Sequence, residues 1–233
     1  MKSKVCKPVQ HIWSFLLALA IILVLLGQSI SLNSQDLNYF HNFQKDNAIS
    51  EVTGRRQEEL DVISRDLTTY LQVGKDELLT KHFNSKEVAH MRDVFGLYEL
   101  NRKVINYAFT FVVISLILTI YWKVRPSIFK KTLLYIGIII GLIIILALVI
   151  SGDFNKYFTI FHEIFFDNDL WMLNPETDLM IQMLPLNFFI GIALKIFVFF
   201  TISLIVTIIL MAIDIRLAKN NKECSLCSLQ EIE

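Results

Sequence analysis

Cysteine is nearly missing from this chain, and where it is missing narrows the field. Only Cys6, Cys224 and Cys227 occur among 233 residues. The long stretch between Cys6 and Cys224 therefore has no disulfide scaffold. Cys224-Ser-Leu-Cys227 has the C-x-x-C spacing, but one pair lacks the second half of a zinc site; a disordered tail is the better reading. Net charge is missing too: 22 Lys and Arg balance 22 Asp and Glu, and no basic outer patch signals a nucleic-acid partner. There is no G-x-S-x-G elbow to activate a serine and no glycine-rich loop to cradle a phosphate. His162 opens His-Glu-Ile-Phe-Phe, which lacks the second histidine of the H-E-x-x-H zinc motif. Internal repeats and low-complexity tracts are absent.

What the chain does have is apolar length. It is 54% hydrophobic and only 19% charged. About 20 apolar residues in a helix cross the ~30 Å hydrocarbon layer, and four such runs occur, at 12–32, 104–122, 132–151 and 188–213. None alternates polar with apolar, so they predict helices rather than barrel strands. The second and third hold no Asp, Glu, His, Lys or Arg, which argues against an ion path through them. Gly137 and Gly141 form a weak G-x-x-x-G packing signal. Lys195 is the one charge in the fourth run, near enough its start to snorkel to the interface.

Lysine and arginine set the expected orientation. Lys2, Lys4 and Lys7 precede the first run, Lys123, Arg125, Lys130 and Lys131 fall between the second and third, and Arg216, Lys219 and Lys222 follow the fourth. By the positive-inside tendency these are cytoplasmic. The first run reads as an uncut anchor rather than a signal peptide, because GQSISLNSQ offers no small-x-small cleavage site. The expected fold class is all-α: a polytopic membrane protein whose four transmembrane helices carry helical extracellular segments capping the outer face. The order is cytoplasmic residues 1–11, a first span at 12–32, an extracellular helical domain at 33–103 and a second span at 104–122. A cytoplasmic loop at 123–131, a third span at 132–151, an extracellular interfacial segment at 152–187, a fourth span at 188–213 and a cytoplasmic tail at 214–233 complete it. The chain is expected to be a multi-pass protein of the cell membrane.

The two outer segments carry the chemistry. Residues 33–50 have no clear period and predict irregular chain. Leu60, Ile63, Leu67, Tyr70 and Leu71 recur at threes and fours, one apolar helix face that Gly74 can end. Asn84 followed by Glu87 is a capping-box spacing, and the helix it starts should run on into the second span. Glu87 and His90 are i,i+3 neighbours there; Glu87 could set the imidazole's tautomer, or could merely cap while His90 is an exposed polar residue. In the later segment Asp153 can cap a helix bearing Phe154, Tyr157, Phe158, Phe161 and Phe165, suited to the headgroup layer. His162 sits among these rings. Asp167-Asn-Asp169 is turn chemistry, and Asn174-Pro175 predicts the start of a short helix with Glu176 and Asp178 in its first turn. Pro185 ends that segment. A metal held by His162, Asp167, Asp169, Asp178 and His90 is conceivable, but a histidine general base, with a reference pKa of ~6.5, fits better.

Two blocks then carry a resemblance. Glu87-Val-Ala-His90-Met-Arg-Asp-Val is one; the other runs from Phe161-His162-Glu-Ile-Phe-Phe through Asp-Asn-Asp-Leu-Trp171-Met-Leu-Asn-Pro175 to Pro185. With four spans and both termini inside, the chain resembles the lyso-form lipoprotein intramolecular transacylase family of low-GC Gram-positive bacteria. The resemblance implies an intramolecular O-to-N acyltransferase. The sn-2 acyl chain of a lipoprotein's S-diacylglyceryl-cysteine moves to that cysteine's α-amino group, giving the lyso form. It implies His162 and His90 as catalytic residues, His162 as general base and proton shuttle and His90 polarising the carbonyl, with Glu87 orienting His90. Asn168, Trp171, Asn174 and Asp178 would shape the pocket. No metal and no cofactor is expected. The expected partners are a diacylated bacterial lipoprotein as substrate and membrane lipids, with no nucleic acid, and a monomer is expected. The rival readings are a metal-dependent membrane hydrolase and a non-enzymatic outer-surface binding or sensory membrane protein.

Overall fold

The computed structural model describes residues 6–230, with side chains as far as residue 220. The expectations placed on Lys2, Lys4, Lys222, Cys224 and Cys227 lie outside these described residues and side chains. Among the described residues every regular element is helical: α1 (Lys7–Asn33), α2 (Leu37–Asp46), α3 (Ile49–Thr53), α4 (Gln57–Val73), a 3-10 turn (Asp76–Leu78), α5 (Ser85–Tyr121), α6 (Arg125–Gly152), α7 (Phe154–Phe165), α8 (Leu179–Met183) and α9 (Leu186–Gln230). Four of these helices, α1, α5, α6 and α9, are long and apolar enough to cross a membrane.

The chain divides into two compact units. One comprises Met1–Gly27, Val104–Ala147 and Phe199–Glu233. Its interior is a seam of Leu17, Ile22, Ile128, Ile136, Phe200 and Leu204, while Phe109, Ile117, Leu142, Ile145 and Leu210 point outward. An apolar exterior around a packed apolar seam is what lipid as solvent favours. With no water to take them, the few polar groups pair internally. Trp13 Nε1 donates to Ser115 Oγ at 3.1 Å and Ser14 Oγ donates to the Ile128 carbonyl at 3.2 Å. At the start of α6 the partly exposed Arg125 meets Asp214 of α9 at 2.8 Å.

The other unit comprises Gln28–Lys103 and Leu148–Val198. Its core gathers the predicted α4 face, Leu60, Ile63, Leu67, Tyr70 and Leu71, against Phe40, Leu79, Phe83, Met91, Met183 and Phe188. Gly74 ends α4 in the left-handed conformation at φ +67°, its N–H on the Tyr70 carbonyl. A Cβ there would stand 2.6 Å from the Phe95 ring, so glycine is required on two counts.

Two expectations for this unit are corrected. Residues 33–50 are largely helical, not irregular: Asp36 caps α2 by accepting the Asn38 and Tyr39 N–H groups, and α2 buries Phe40 and Gln44. Asn174-Pro175 does not begin a helix. Asn174 Oδ1 accepts the Glu176 N–H in a local turn, and α8 starts only after Asp178. Lys195 has a partner within the protein. It pairs with the Asp36 carboxylate and lies 4.7 Å above the Tyr39 ring, which fixes the start of α2 to α9.

Candidate active site

The N-terminus of α5 is set by a capping box. Asn84 Oδ1 accepts the N–H groups of Lys86 and Glu87, and Glu87 Oε2 accepts the Asn84 N–H at 2.8 Å. Those bonds satisfy donors that the first turn of any helix leaves free. One turn on stands His90, 8% exposed and so not the surface residue that helix spacing alone allows. The apolar stretch of α5 begins only at Val104, so Glu87 and His90 precede the part that a bilayer would enclose.

The second histidine comes from α7, which Asp153 caps by accepting the Lys156 N–H. His162 is the buried residue of that helix. Phe158, Phe161, Phe166 and Trp171 surround its ring, with Trp171 at 4.9 Å between centroids and Phe158 edge-on at 4.5 Å. The structure brings the two histidines together: their ring centroids are 6.1 Å apart, and Phe166 packs against both.

Their ring nitrogens are not equivalent. His162 Nδ1 stands 2.6 Å from the carbonyl of Phe158, one turn back in α7. A carbonyl only accepts, so Nδ1 carries the hydrogen and the neutral ring keeps its lone pair on Nε2. His90 Nδ1 is buried and has no hydrogen-bond partner. A buried polar nitrogen without a partner is costly unless something arrives to meet it. Burial, and then the neighbouring His162, push His90 down to about 4. Burial also lowers His162, offset in part by its bond to Phe158. Both rings are neutral at pH 7, and one of them offers a free base.

The other predicted residues fall around this pair, one with a changed role. Glu87 does not hydrogen-bond His90. Its carboxylate accepts from the backbone N–H of Asn84 and, at 2.6 Å, from that of Met180; it is 1% exposed, and burial pushes its carboxyl up. The i,i+3 spacing makes Glu87 a neighbour of His90, but two backbone donors outbid the ring for its oxygens. Asp178 is also buried, and its carboxylate accepts from Asn174 N–H at 2.8 Å, Thr177 Oγ1 and Asn84 Nδ2. The Asn174 N–H is the first cause holding it below the usual carboxylate range. Asn174 is exposed and supports Asp178 rather than the rings. Asn168 donates to Asp93 on α5 at 2.9 Å. Trp171 alone of these four stacks directly on a histidine.

Sequence reasoning missed the Phe158 carbonyl, the Phe166 wedge, Asp93, and the bond from Lys86 Nζ to the Met172 carbonyl at 2.5 Å. No local signal marks these, because each depends on which segment lies opposite. An open depression of about 490 Å³ between α4 and α5, lined in part by Tyr70, Asp76 and Arg92, contains none of the site residues. Among the described residues no group of three His, Cys, Asp or Glu is arranged to hold a metal ion.

Comparison with known proteins agrees with this architecture. The family model described as lipoprotein intramolecular transacylase Lit matches residues 15–189. The fold resembles that of the membrane-integral lipoprotein intramolecular transacylase Lit from Bacillus cereus, with a TM-score of 0.77 at 23% identity, over 94% of this chain and 100% of that one. Two variants of the Bacillus cereus protein also match, at 21% identity each. One has a histidine changed to arginine (TM-score 0.74, 93% and 94% covered) and the other a histidine changed to alanine (TM-score 0.73, 92% and 96% covered). A search of curated proteins finds no match. The family match spans most of the sequence, so the chain belongs to the lipoprotein intramolecular transacylase family and is a multi-pass membrane acyltransferase.

Proposed function

We propose that this protein moves the sn-2 acyl chain of a lipoprotein's S-diacylglyceryl-cysteine to the α-amino group of the same cysteine, by metal-free histidine acid–base catalysis. The observation that carries the reading is the buried pair His90 and His162, 6.1 Å apart, with Nε2 of His162 left as an acceptor. Donor ester and acceptor amine sit on one molecule. Binding therefore only has to fold the substrate into an attacking geometry, and no enzyme nucleophile is needed. The amine, with a pKa of ~8, has a usable neutral fraction at neutral pH.

The neutral amine attacks the sn-2 ester carbonyl; an N–C bond forms and the carbonyl oxygen gathers negative charge. His162 Nε2 takes the proton that the nitrogen sheds. The same proton then goes to the glycerol oxygen as its C–O bond breaks, so the enzyme ends as it began. His90 Nδ1–H donates to the developing oxyanion. That role suits a nitrogen that burial keeps neutral and that has no partner within the protein. Glu87, Asn174 and Asp178 hold the backbone around the rings, Trp171 stacks on His162, and Asn168 joins the intervening loop to α5. The exposed rings of Phe161 and Phe165 offer an apolar bed for acyl chains among membrane lipids. The site faces outward, with both termini cytoplasmic. All reacting groups come from one chain, so a monomer suffices.

The test is mass spectrometry of lipoprotein N-terminal peptides from a host that makes only diacylated lipoproteins. Expression of this chain should yield N-acyl, S-monoacylglyceryl peptides. Peptides that remain diacylglyceryl with a free amine would defeat the reading.

A further inference from the structure

The capping box at the head of α5 is not closed on itself. A cap needs only an oxygen to accept N–H groups, and Ser, Thr, Asp or Asn supplies one. Asn84 does that with Oδ1, toward Lys86 and Glu87. Its amide nitrogen then reaches 94 positions along the chain to donate to Asp178 Oδ1 at 3.0 Å. Its backbone N–H donates to Glu87, whose other carboxylate oxygen takes the Met180 N–H. One neutral residue thus donates into two buried carboxylates, at 1% and 6% exposure. Of the common caps only asparagine carries a separate NH₂ donor beside the oxygen that accepts the N–H groups; a serine or threonine hydroxyl must do both with one atom close to the backbone.

The clasp spans the two segments that supply the histidines. Glu87 is one turn before His90 on α5. Asp178 ends the segment that leads back through Trp171, the ring stacked on His162. The Asn84–Asp178 bond joins the bonds from Met180 to Glu87 and from Lys86 to Met172 in tying this segment to α5, the helix that carries His90.

We infer that Asn84 is a positioning residue for acyl transfer, acting through Asp178 and Glu87 to hold the His90 and His162 rings in register. The inference rests on the transacylase reading and adds a residue to it. Misplacement of catalytic groups by about 1 Å can cost on the order of 10²-fold in rate, so the effect should appear in kcat more than in KM.

The experiment is a swap. Asn84→Asp keeps the capping oxygens but faces Asp178 with a third carboxylate. Asp178→Asn removes the charged acceptor. The double variant restores one donor and one carboxylate with their places exchanged, which is the coupling a double-mutant cycle detects. Asn84→Ser keeps the cap and loses the reach to Asp178. We expect Asn84→Asp and Asn84→Ser to lose at least ~10-fold in kcat with little change in KM, Asn84→Ser to keep a near wild-type melting temperature, and the double variant to regain most of the loss. A second readout needs no substrate. With Trp13→Phe and Trp122→Phe in place, Trp171 fluorescence follows protonation of the adjacent His162. That titration should shift in Asn84→Ser and return in the double variant. A double variant no better than Asn84→Asp, or an Asn84→Ser protein with wild-type kcat and Trp171 titration, overturns the proposal. A wild-type chain that forms no lyso product sinks the transacylase reading instead, and the Trp171 titration then decides the clasp by itself.

Discussion

The carbonyl of Phe158 takes the Nδ1 hydrogen of His162 at 2.6 Å. That contact decides which nitrogen of the neutral ring keeps its lone pair. An i to i−4 bond of this kind is possible because the histidine lies one turn after the phenylalanine on the same helix, where its ring can fold back onto that carbonyl. The tautomer of the His162 side chain is therefore fixed.

His162→Ala removes the acceptor and should lower lyso-form production by about 10²- to 10⁴-fold, the range expected for a general base. The measurement is the ratio of lyso to diacyl N-terminal peptides over time at matched enzyme levels. Wild-type rates in this variant would remove the assignment while leaving family membership untouched. His90→Ala should also be impaired, and His90→Gln, which keeps a neutral donor, should recover part of the loss.

The pH dependence has two parts with separate signs. The amine must be neutral, so the rate should fall about tenfold per pH unit below ~8. His162 must also be neutral, and burial lowers it, so a second proton should count only below the ordinary histidine value of ~6.5. The slope of log rate against pH should steepen from one toward two there; steepening above pH 7 would contradict a lowered His162. Stability follows the same sense. His90 falls from 6.5 unfolded to about 4 folded, so the unfolded chain binds more protons in that window. The contribution is whole above pH 6.5 and is lost toward pH 4, amounting to ~3 kcal/mol.

The four long helices were legible for a physical reason, since long apolar runs have few other uses. That His162 lies among aromatic rings was legible too, because phenylalanines surround it in the sequence of its own helix. The capping spacing of Asn84 and Glu87 was legible as well. What spacing cannot supply is the partner of an oxygen left over. Helical periodicity makes Glu87 a neighbour of His90, yet its second oxygen goes to Met180, 93 residues away. Lys195 shows the same limit, since its ion pair with Asp36 depends on where α2 begins. Residues 33–50 lack a period because α2 and α3 are short, leaving too few turns for a pattern to repeat.

Chelation separates the metal-dependent rival from histidine chemistry. The site offers His90 and His162, while the carboxylates of Asp93, Glu87 and Asp178 accept hydrogen bonds from Asn168 and from backbone and side-chain donors. Overnight dialysis against a strong chelator should leave the transfer rate unchanged. A loss restored by added zinc or another divalent ion would revive the hydrolase reading.

Glu87→Gln tests the corrected role of Glu87. The carboxylate receives one backbone N–H on each oxygen, from Asn84 and from Met180. Glutamine can accept only with its carbonyl oxygen, and its NH₂ must face the other donor. A buried N–H then loses its partner, at a cost of ~1–3 kcal/mol. We expect a lower melting temperature and a lower rate, with the pH at which the log-rate slope steepens unchanged, because Glu87 hydrogen-bonds Asn84 and Met180 rather than either ring. If Glu87 instead set the state of His90, the substitution would change the charge beside His162 and so move that breakpoint, while leaving stability nearly alone. A joint measurement of melting temperature and pH–rate profile on one preparation distinguishes the two outcomes.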